Sequence, residues 1–119
     1  MSVVSVYAIF ADAEEAERIG RTIVEERLAA CVNILGPIQS IYRWEGKVES
    51  AEEVAAIFKT TDVSADALIA RIVSLHSYDV PCVASWPSTK YMEATPTGSR
   101  STSIKARKFL YFLHPYKPG

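Results

Sequence analysis

Apolar residues follow two different periodicities along this chain, and the order in which these alternate restricts the fold. Val3–Phe10 is almost continuously β-branched or aromatic, which is typical of a strand buried on both faces. Asp12 then occupies an N-cap position before an acidic first turn, and apolar residues from Ala16 to Leu28 recur with helical spacing. A second helix is predicted after Asp62 or Ser64. Its predicted inner face consists of Ala65, Leu68, Ile69, Ile72, Val73 and Leu75.

Shorter apolar runs of strand type fill most of the remaining sequence up to residue 87. Gly36-Pro37 interrupts one of them, which predicts a break or a bulge. Glu45-Gly46 resembles an Asp-Gly turn and predicts a tight antiparallel hairpin, whereas the acidic segment 50–53 predicts an edge or a bulge. The predicted strands cover residues 30–35, 38–44, 47–49, 54–58 and 80–86.

The resulting order is β-α-β-β-α-β, which predicts an α+β fold of the ferredoxin-like, split βαβ type. Two right-handed crossovers place both helices on the same face of the sheet. Apolar residues occur at both odd and even positions of the strands, so both faces of the sheet are apolar. The face opposite the helices therefore also needs to be covered. A single copy has nothing left to supply that cover, so we expect the protein to self-associate.

Charge divides the chain into two segments. Residues 1–87 contain 7 basic and 13 acidic side chains, whereas residues 88–119 contain 6 basic and 1 acidic. We interpret residues 1–87 as one folded core and residues 88–119 as an atypical C-terminal tail that forms no separate domain, since so short a segment cannot enclose its own core. The net charge of −1 gives no basic bias toward nucleic acid.

The sequence shows no targeting or membrane-spanning pattern. No apolar stretch reaches the roughly 18–20 residues that cross a bilayer. No Lys or Arg precedes the apolar N-terminal run, although a secretory signal begins with positive charge. We therefore expect a cytoplasmic protein without a membrane partner.

Motifs that carry enzyme chemistry are absent from the sequence. There is no glycine-rich phosphate loop, no Cys-x-x-Cys and no Gly-x-Ser-x-Gly. The loop at residues 11–15 is acidic and lacks glycine, so it would repel a phosphate. Cys31 and Cys82 are interpreted as buried packing residues. We predict neither an enzyme nor an established cofactor.

Two groups of residues remain as candidate sites. His76 ends the second predicted helix, where it serves either as a cation beside the helix C-terminus or as a metal ligand or proton carrier with Tyr78 and Asp79. The second group crowds the predicted hairpin tip and consists of Tyr42, Arg43, Trp44, Glu45 and Lys47. Its aromatic and ionic character favours a protein interface over a ligand pocket.

Three segments together resemble one known family. They are Val-Glu-Glu-Arg-Leu-Ala-Ala-Cys-Val-Asn-Ile (24–34), Ile-Tyr-Arg-Trp-Glu-Gly-Lys-Val (41–48) and Leu-His-Ser-Tyr-Asp-Val-Pro (75–81), with Phe-Lys-Thr-Thr (58–61) in the expected place between them. The chain is similar in these segments to the CutA, or divalent-cation tolerance, family. The resemblance implies a ferredoxin-like, PII-like subunit in a cytoplasmic homotrimer, tolerance of copper and other divalent metals, and no established enzymatic activity.

The family's proposed copper ligands transfer only in part. Ala8 stands where some bacterial members have a first-strand Cys, and Leu75 replaces the first His of a pair, so only His76 remains. We expect weak binding of copper or another divalent cation, mainly through His76. The alternative is a PII-like sensor that binds a small ligand in clefts between subunits. The residues predicted to line such a cleft, or an interface, are Tyr42, Trp44, Glu45, Lys47, Lys59, Tyr78 and Asp79.

The tail departs from the family pattern, which continues into a short strand and a helix with Tyr and Trp anchors. A frameshifted or replaced coding end and a divergent tail both explain this departure and the change of charge.

In either case we predict a loosely held tail. Limited proteolysis should cut between about Ser88 and Lys108 while the core resists. Uniform resistance through Lys117 would contradict the prediction.

Overall fold

The computed structural model describes residues 2–91 of the protein. Its elements follow the predicted order β-α-β-β-α-β. They are β1 (Val3–Phe10), α1 (Ala13–Glu25), β2 (Cys31–Trp44), β3 (Lys47–Thr61), α2 (Ala65–Leu75) and β4 (Val83–Pro87). The predicted division at residue 87 and the predicted loose tail involve residues 92–119, which lie outside the described residues, so both stay predictions.

The four strands form one antiparallel sheet in the order β2-β3-β1-β4. Both helices cover the same face, which confirms the predicted ferredoxin-like arrangement of the α+β class. Phe10 and Phe58 are fully buried on that face, with their ring centroids 6.4 Å apart. The helices contribute buried apolar residues from α1 and α2, namely Ala16, Ile19, Ile23, Ala65, Leu68 and Ile72.

The first helix begins and ends as local chemistry requires. The Asp12 carboxylate accepts the backbone N–H of Glu15 at 2.8 Å, which confirms the predicted N-cap. After the helix, Arg27 adopts a positive φ of 63°, and the N–H of Leu28 donates to the carbonyl of Ile23. The helix therefore ends in a left-handed turn even though no glycine is present there.

The second helix departs from the prediction at two points. Ser64 occupies the N-cap position, but its side chain forms no capping hydrogen bond. Val73 is 42% exposed, so its predicted place on the inner face is wrong. The reason is geometric, because Val73 is rotated by about 100° from the buried Ile72 around the helix axis.

The β2–β3 hairpin is longer and more regular than predicted. Gly36-Pro37 produces a bulge rather than a break, so β2 is one continuous strand. The acidic segment 50–53 forms no bulge and pairs residue by residue with 38–41 of β2. Its other side is unpaired, because the pairing of β3 with β1 ends at Val54, so the predicted edge is confirmed. Glu45 and Gly46 both have positive φ values, 50° and 78°, which confirms the tight turn.

The outer part of this hairpin, residues 38–53, extends beyond the helix layer and is called the ribbon below. Both faces of the ribbon are exposed: Ile41 and Val48 are 71% and 66% exposed on one face, and Trp44 is 59% exposed on the other. An isolated two-stranded ribbon is marginally stable in water. Its apolar side chains therefore provide a surface for association.

The last strand is shorter than predicted. It begins at Val83 rather than at residue 80, because Pro81 has no backbone N–H to offer a ladder. Cys82 still accepts a hydrogen bond from the backbone N–H of Ile9 at 3.2 Å. Among residues 2–91, no helix is long and apolar enough to cross a membrane.

We predict that Gly36→Ala lowers the free energy of unfolding by about 1–2 kcal/mol. Gly36 has a φ of +94°, and no atom lies within 4 Å of the position of an added Cβ, so the cost comes from the backbone alone. Denaturant titration at constant protein concentration measures the change. Ser50→Ala, at an exposed regular position of β3, is the control, and an equal loss in that variant would contradict the explanation.

Candidate functional site

His76 lies immediately after α2 with its side chain 0% exposed. The ring stacks on Phe10, with centroids 5.2 Å apart and planes inclined by 13°. Nε2 lies 2.6 Å from the carbonyl oxygen of Ile9, and Nδ1 accepts the backbone N–H of Tyr78 at 3.0 Å. Because a carbonyl only accepts hydrogen bonds, this network assigns the proton to Nε2 and describes a neutral imidazole. Both ring nitrogens are therefore bonded to the backbone.

Glu15 is the functional residue that the sequence analysis missed. Its side chain is 5% exposed, and its two oxygens connect three segments. Oε1 accepts the N–H of Ala11 at 3.1 Å, and Oε2 accepts the N–H of Ser77 at 3.0 Å. The available signal was the Asp12-x-x-Glu15 spacing, which is that of a capping box. Glu15 thereby fixes the start of α1 against the segment that follows α2.

The electrostatic balance at Glu15 favours the ionised form. Burial raises the pKa of this carboxyl group, but hydrogen bonds from Ser77 and from the backbone N–H of Ala11 lower it by more. The net effect is a pKa below the ordinary value of 4.5. Glu15 is therefore a buried carboxylate held by donors.

Tyr78 continues this network toward the other side of the sheet. Its ring contacts His76, with centroids 4.8 Å apart, and its hydroxyl donates to Oε2 of Glu53 at 2.8 Å. Burial, together with this hydrogen bond and the charge of Glu53, raises the pKa of Tyr78 to about 12. The hydroxyl consequently remains protonated and keeps Glu53 in place.

A cleft of about 610 Å³ opens beside this network, on the sheet face opposite the helices. It lies between the ribbon and the segment 78–82, at the end of β1. Its aromatic lining comes from Tyr42, Trp44 and Tyr78, and its acidic lining comes from Glu49 and Glu53. A volume of this size is within the range that small ligands occupy.

The structure brings together only part of the predicted ligand or interface cluster. Tyr42, Trp44 and Tyr78 line the cleft, but Glu45, Lys47, Lys59 and Asp79 are not among its described lining residues. Glu45 and Lys47 lie at the turn of the hairpin, and Lys59 donates to the Ser5 hydroxyl at 2.6 Å, farther along the sheet. The aromatic members of the cluster therefore meet at the cleft, whereas Lys47 lies beside it, directly opposite Trp44 across the hairpin.

The potential metal ligands are dispersed. Across residues 2–91, no three His, Cys, Asp or Glu side chains form a group that could hold a metal ion. Cys31 is half-buried, and Cys82 is exposed and lines the cleft. The predicted burial of Cys82 is wrong because the chain there precedes β4 and lies at the surface. The metal-binding role of His76 stays a prediction, and ligation would require the ring to give up a backbone hydrogen bond.

Comparison with known proteins identifies the family to which this ferredoxin-like chain belongs. The model of the family described as "CutA1 divalent ion tolerance protein" matches residues 4–95. The chain belongs to this family, as the sequence motifs predicted. The family is named for ion tolerance and not for a catalysed reaction.

Individual relatives agree with this assignment. The divalent-cation tolerance protein CutA of Archaeoglobus fulgidus is 43% identical over 82 residues, which are 69% of this chain and 79% of that protein. The chloroplastic CutA 1 of Oryza sativa subsp. japonica is 39% identical over 101 residues, or 82% of this chain. The chain spans 57% of that rice protein and 55% of the chloroplastic CutA of Arabidopsis thaliana.

Solved structures share the fold. The crystal structure of CutA1 from Oryza sativa superimposes with a TM-score of 0.75 at 38% identity, covering 77% of this chain and 84% of that chain. The structure of the periplasmic CutA from Archaeoglobus fulgidus gives a TM-score of 0.73 at 39% identity, covering 76% of this chain and 87% of that chain.

We predict that Glu15→Gln lowers the free energy of unfolding at pH 7 by about 1–2 kcal/mol, because one amide oxygen replaces two acceptors and leaves a backbone N–H unpaired. Since folding lowers the pKa of Glu15 below 4.5, the ionised group stabilises the folded state above that pH. This contribution disappears as the pH falls through the folded-state pKa. As the pH falls below about 4.5, the free energy of unfolding should therefore decrease less for the variant than for the wild type.

Denaturation curves at pH 7 and at a series of pH values below 5 test this prediction. Glu14→Gln is the matched control, because Glu14 shares the first turn of α1 but its side chain is 83% exposed. We expect a change within about 0.5 kcal/mol for the control. Parallel acid profiles for the wild type and Glu15→Gln would show that the buried hydrogen bonds do not contribute.

Proposed function

We propose that this chain takes part in the response to, or tolerance of, divalent metal ions, copper among them, as a non-enzymatic homotrimer. Family membership supports the connection with divalent ions. The observation that supports assembly is the exposed ribbon, whose apolar side chains lack cover on both faces. Other copies of the chain would bury these side chains, and the family resemblance favours three copies over two.

Metal binding in this proposal is weak and unspecific. His76 supplies the strongest neutral nitrogen ligand of the core, but both of its ring nitrogens are hydrogen-bonded to backbone atoms. A metal ion has to compete with those hydrogen bonds, and no neighbouring group of three ligands among residues 2–91 assists it. Without a thiolate in the first strand, where Ala8 stands, selectivity for Cu(I) should be poor.

Light scattering tests the assembly. At micromolar concentration we expect a mass close to three times the 13.1 kDa of the chain. Replacing Ile41 and Val48 together by Thr removes apolar surface from one ribbon face and should shift the mass downward. A monomer mass for the wild type would contradict the proposal and leave the exposed ribbon unexplained.

Calorimetric titration with Cu²⁺ tests the metal site. We expect a dissociation constant of about 10 µM or weaker for the wild type, further weakening in His76→Ala, and weaker binding at acidic pH because the ligand must be neutral. His76→Gln retains a hydrogen-bonding side chain, and its melting temperature separates lost binding from lost folding. Equal binding by the wild type and both variants would assign His76 a structural role alone.

A second candidate function is small-ligand sensing. The cleft supports it, because three aromatic side chains and two carboxylates converge there in a space of about 610 Å³.

A cytoplasmic location remains part of the proposal, and cell fractionation tests it.

A further inference from the structure

Four charged side chains of β3 lie on the sheet face opposite the helices, because residues at even spacing along a strand share a face. They are Lys47, Glu49, Glu53 and Lys59. Lys47 is two residues from Glu49, about 7 Å along the strand, so these two charges offset each other within one copy. Glu53 and Lys59 have no such neighbour, and within residues 2–91 no ion pair involves either of them.

Glu53 is a half-buried carboxylate that is held in position without a cation. The Tyr78 hydroxyl donates to Oε2 at 2.8 Å, so the other oxygen, Oε1, can accept a second donor. The residue opposite Glu53 on β2 is the apolar Ile38. In the assembly proposed above, other copies cover this part of the chain, and a carboxylate that loses its water needs a positively charged partner.

Lys59 is a cation of the matching kind at the other end of the same face. Its Nζ donates to the Ser5 hydroxyl at 2.6 Å, and Ser5 is only 2% exposed, so this bond holds the ammonium group against the sheet. An ammonium group has three N–H donors and a hydroxyl supplies no negative charge, so Lys59 can also donate to a carboxylate. Trp86, opposite Ser5 on β4, is 45% exposed and gives this surface the aromatic character of a protein interface.

Glu53 and Lys59 cannot meet within one copy. They are six residues apart on one continuous strand, or about 20 Å, which is beyond the reach of a lysine side chain. Between two copies this restriction does not apply. A covered interface also strengthens the attraction between opposite charges, because it excludes water.

We propose that Glu53 of one copy forms an ion pair with Lys59 of a second copy, so that the ribbon of the first lies across the sheet of the second. Tyr78 and Ser5 are positioning residues, which orient the carboxylate and the ammonium group. The exposed aromatic rings beside the two charges are covered in the same contact. This inference rests on the self-association in the proposed function and names the charges that set its register, but it does not depend on the number of copies.

Charge reversal tests the pairing. Assemblies of ordinary and isotopically labelled chains are mixed, and native mass spectrometry follows the rate at which chains exchange between them. Lys59→Glu places two carboxylates together and should increase this rate at least about tenfold. The combined variant Lys59→Glu/Glu53→Lys exchanges the two charges and should bring the rate back to within about threefold of the wild type.

Glu52 provides the matched control. It adjoins Glu53 along β3 but lies on the opposite face of the ribbon. Lys59→Glu/Glu52→Lys therefore has the same net charge as the reversed pair without restoring the contact, and its chains should exchange as fast as those of Lys59→Glu.

Circular dichroism establishes that the variants fold. If a reversed variant does not, Lys59→Met, Glu53→Gln and their combination replace the set, and the Gln amide still accepts the Tyr78 hydroxyl. Each single change should increase the exchange rate, and the combination should not exceed the faster of the two, because it leaves no unpaired charge. Effects that multiply would show that the two residues act independently, which contradicts the pairing.

Three outcomes with a trimeric wild type would overturn the inference and leave the proposed assembly in place. They are an unchanged exchange rate in Lys59→Glu, no restoration by the reversed pair, and equal restoration by Glu52→Lys. A wild-type mass of two chains, together with restoration by the reversed pair, would support the pairing and contradict the trimer. A monomeric wild type would contradict both.

Discussion

The difference in length between the two central strands shapes the whole molecule. β1 ends at Phe10, which pairs with Val54, whereas β3 begins at Lys47. The helices cover only the part of the sheet that contains β1, so the earlier residues of β3 and their partners in β2 project as a ribbon. The free end of β1 also creates the space in which the segment 76–82 lies. The uncovered apolar surface and the cleft both follow from this one mismatch.

The turn at the end of β1 is secured by hydrogen bonds rather than by apolar packing alone. Nε2 of His76 donates to the carbonyl oxygen of Ile9 near the end of β1. The Glu15 carboxylate accepts the backbone N–H groups of Ala11 and Ser77. A buried carboxylate costs free energy unless donors surround it, and here backbone donors from two segments do so. Each helix is thereby attached to the same end of β1. This attachment positions Tyr78 against Glu53 and so defines one wall of the cleft.

The structure separates charges that the sequence places side by side. Trp44, Glu45 and Lys47 are near neighbours at the hairpin tip, but only Trp44 lines the cleft. Glu49 and Glu53 enter the cleft because strand residues at even spacing share a face. One face of the ribbon thus carries Tyr42, Trp44, Glu49 and Glu53, with Lys47 opposite Trp44 on the same face.

Local sequence patterns alone determined the order of elements, the Asp12 cap and the Glu45-Gly46 turn, because each depends on residues that are near one another in the chain. They left open whether Gly36-Pro37 breaks the strand or forms a bulge, and the pairing with β3 decided for the bulge. The family motifs likewise identified the group to which the chain belongs. The tertiary structure decided the environment of His76 and the role of Glu15, since their partners, Ile9 and Ser77, are more than 60 residues away in the sequence. It also decided which members of the aromatic cluster meet. Long-range pairing sets these distances, and no local periodicity encodes them.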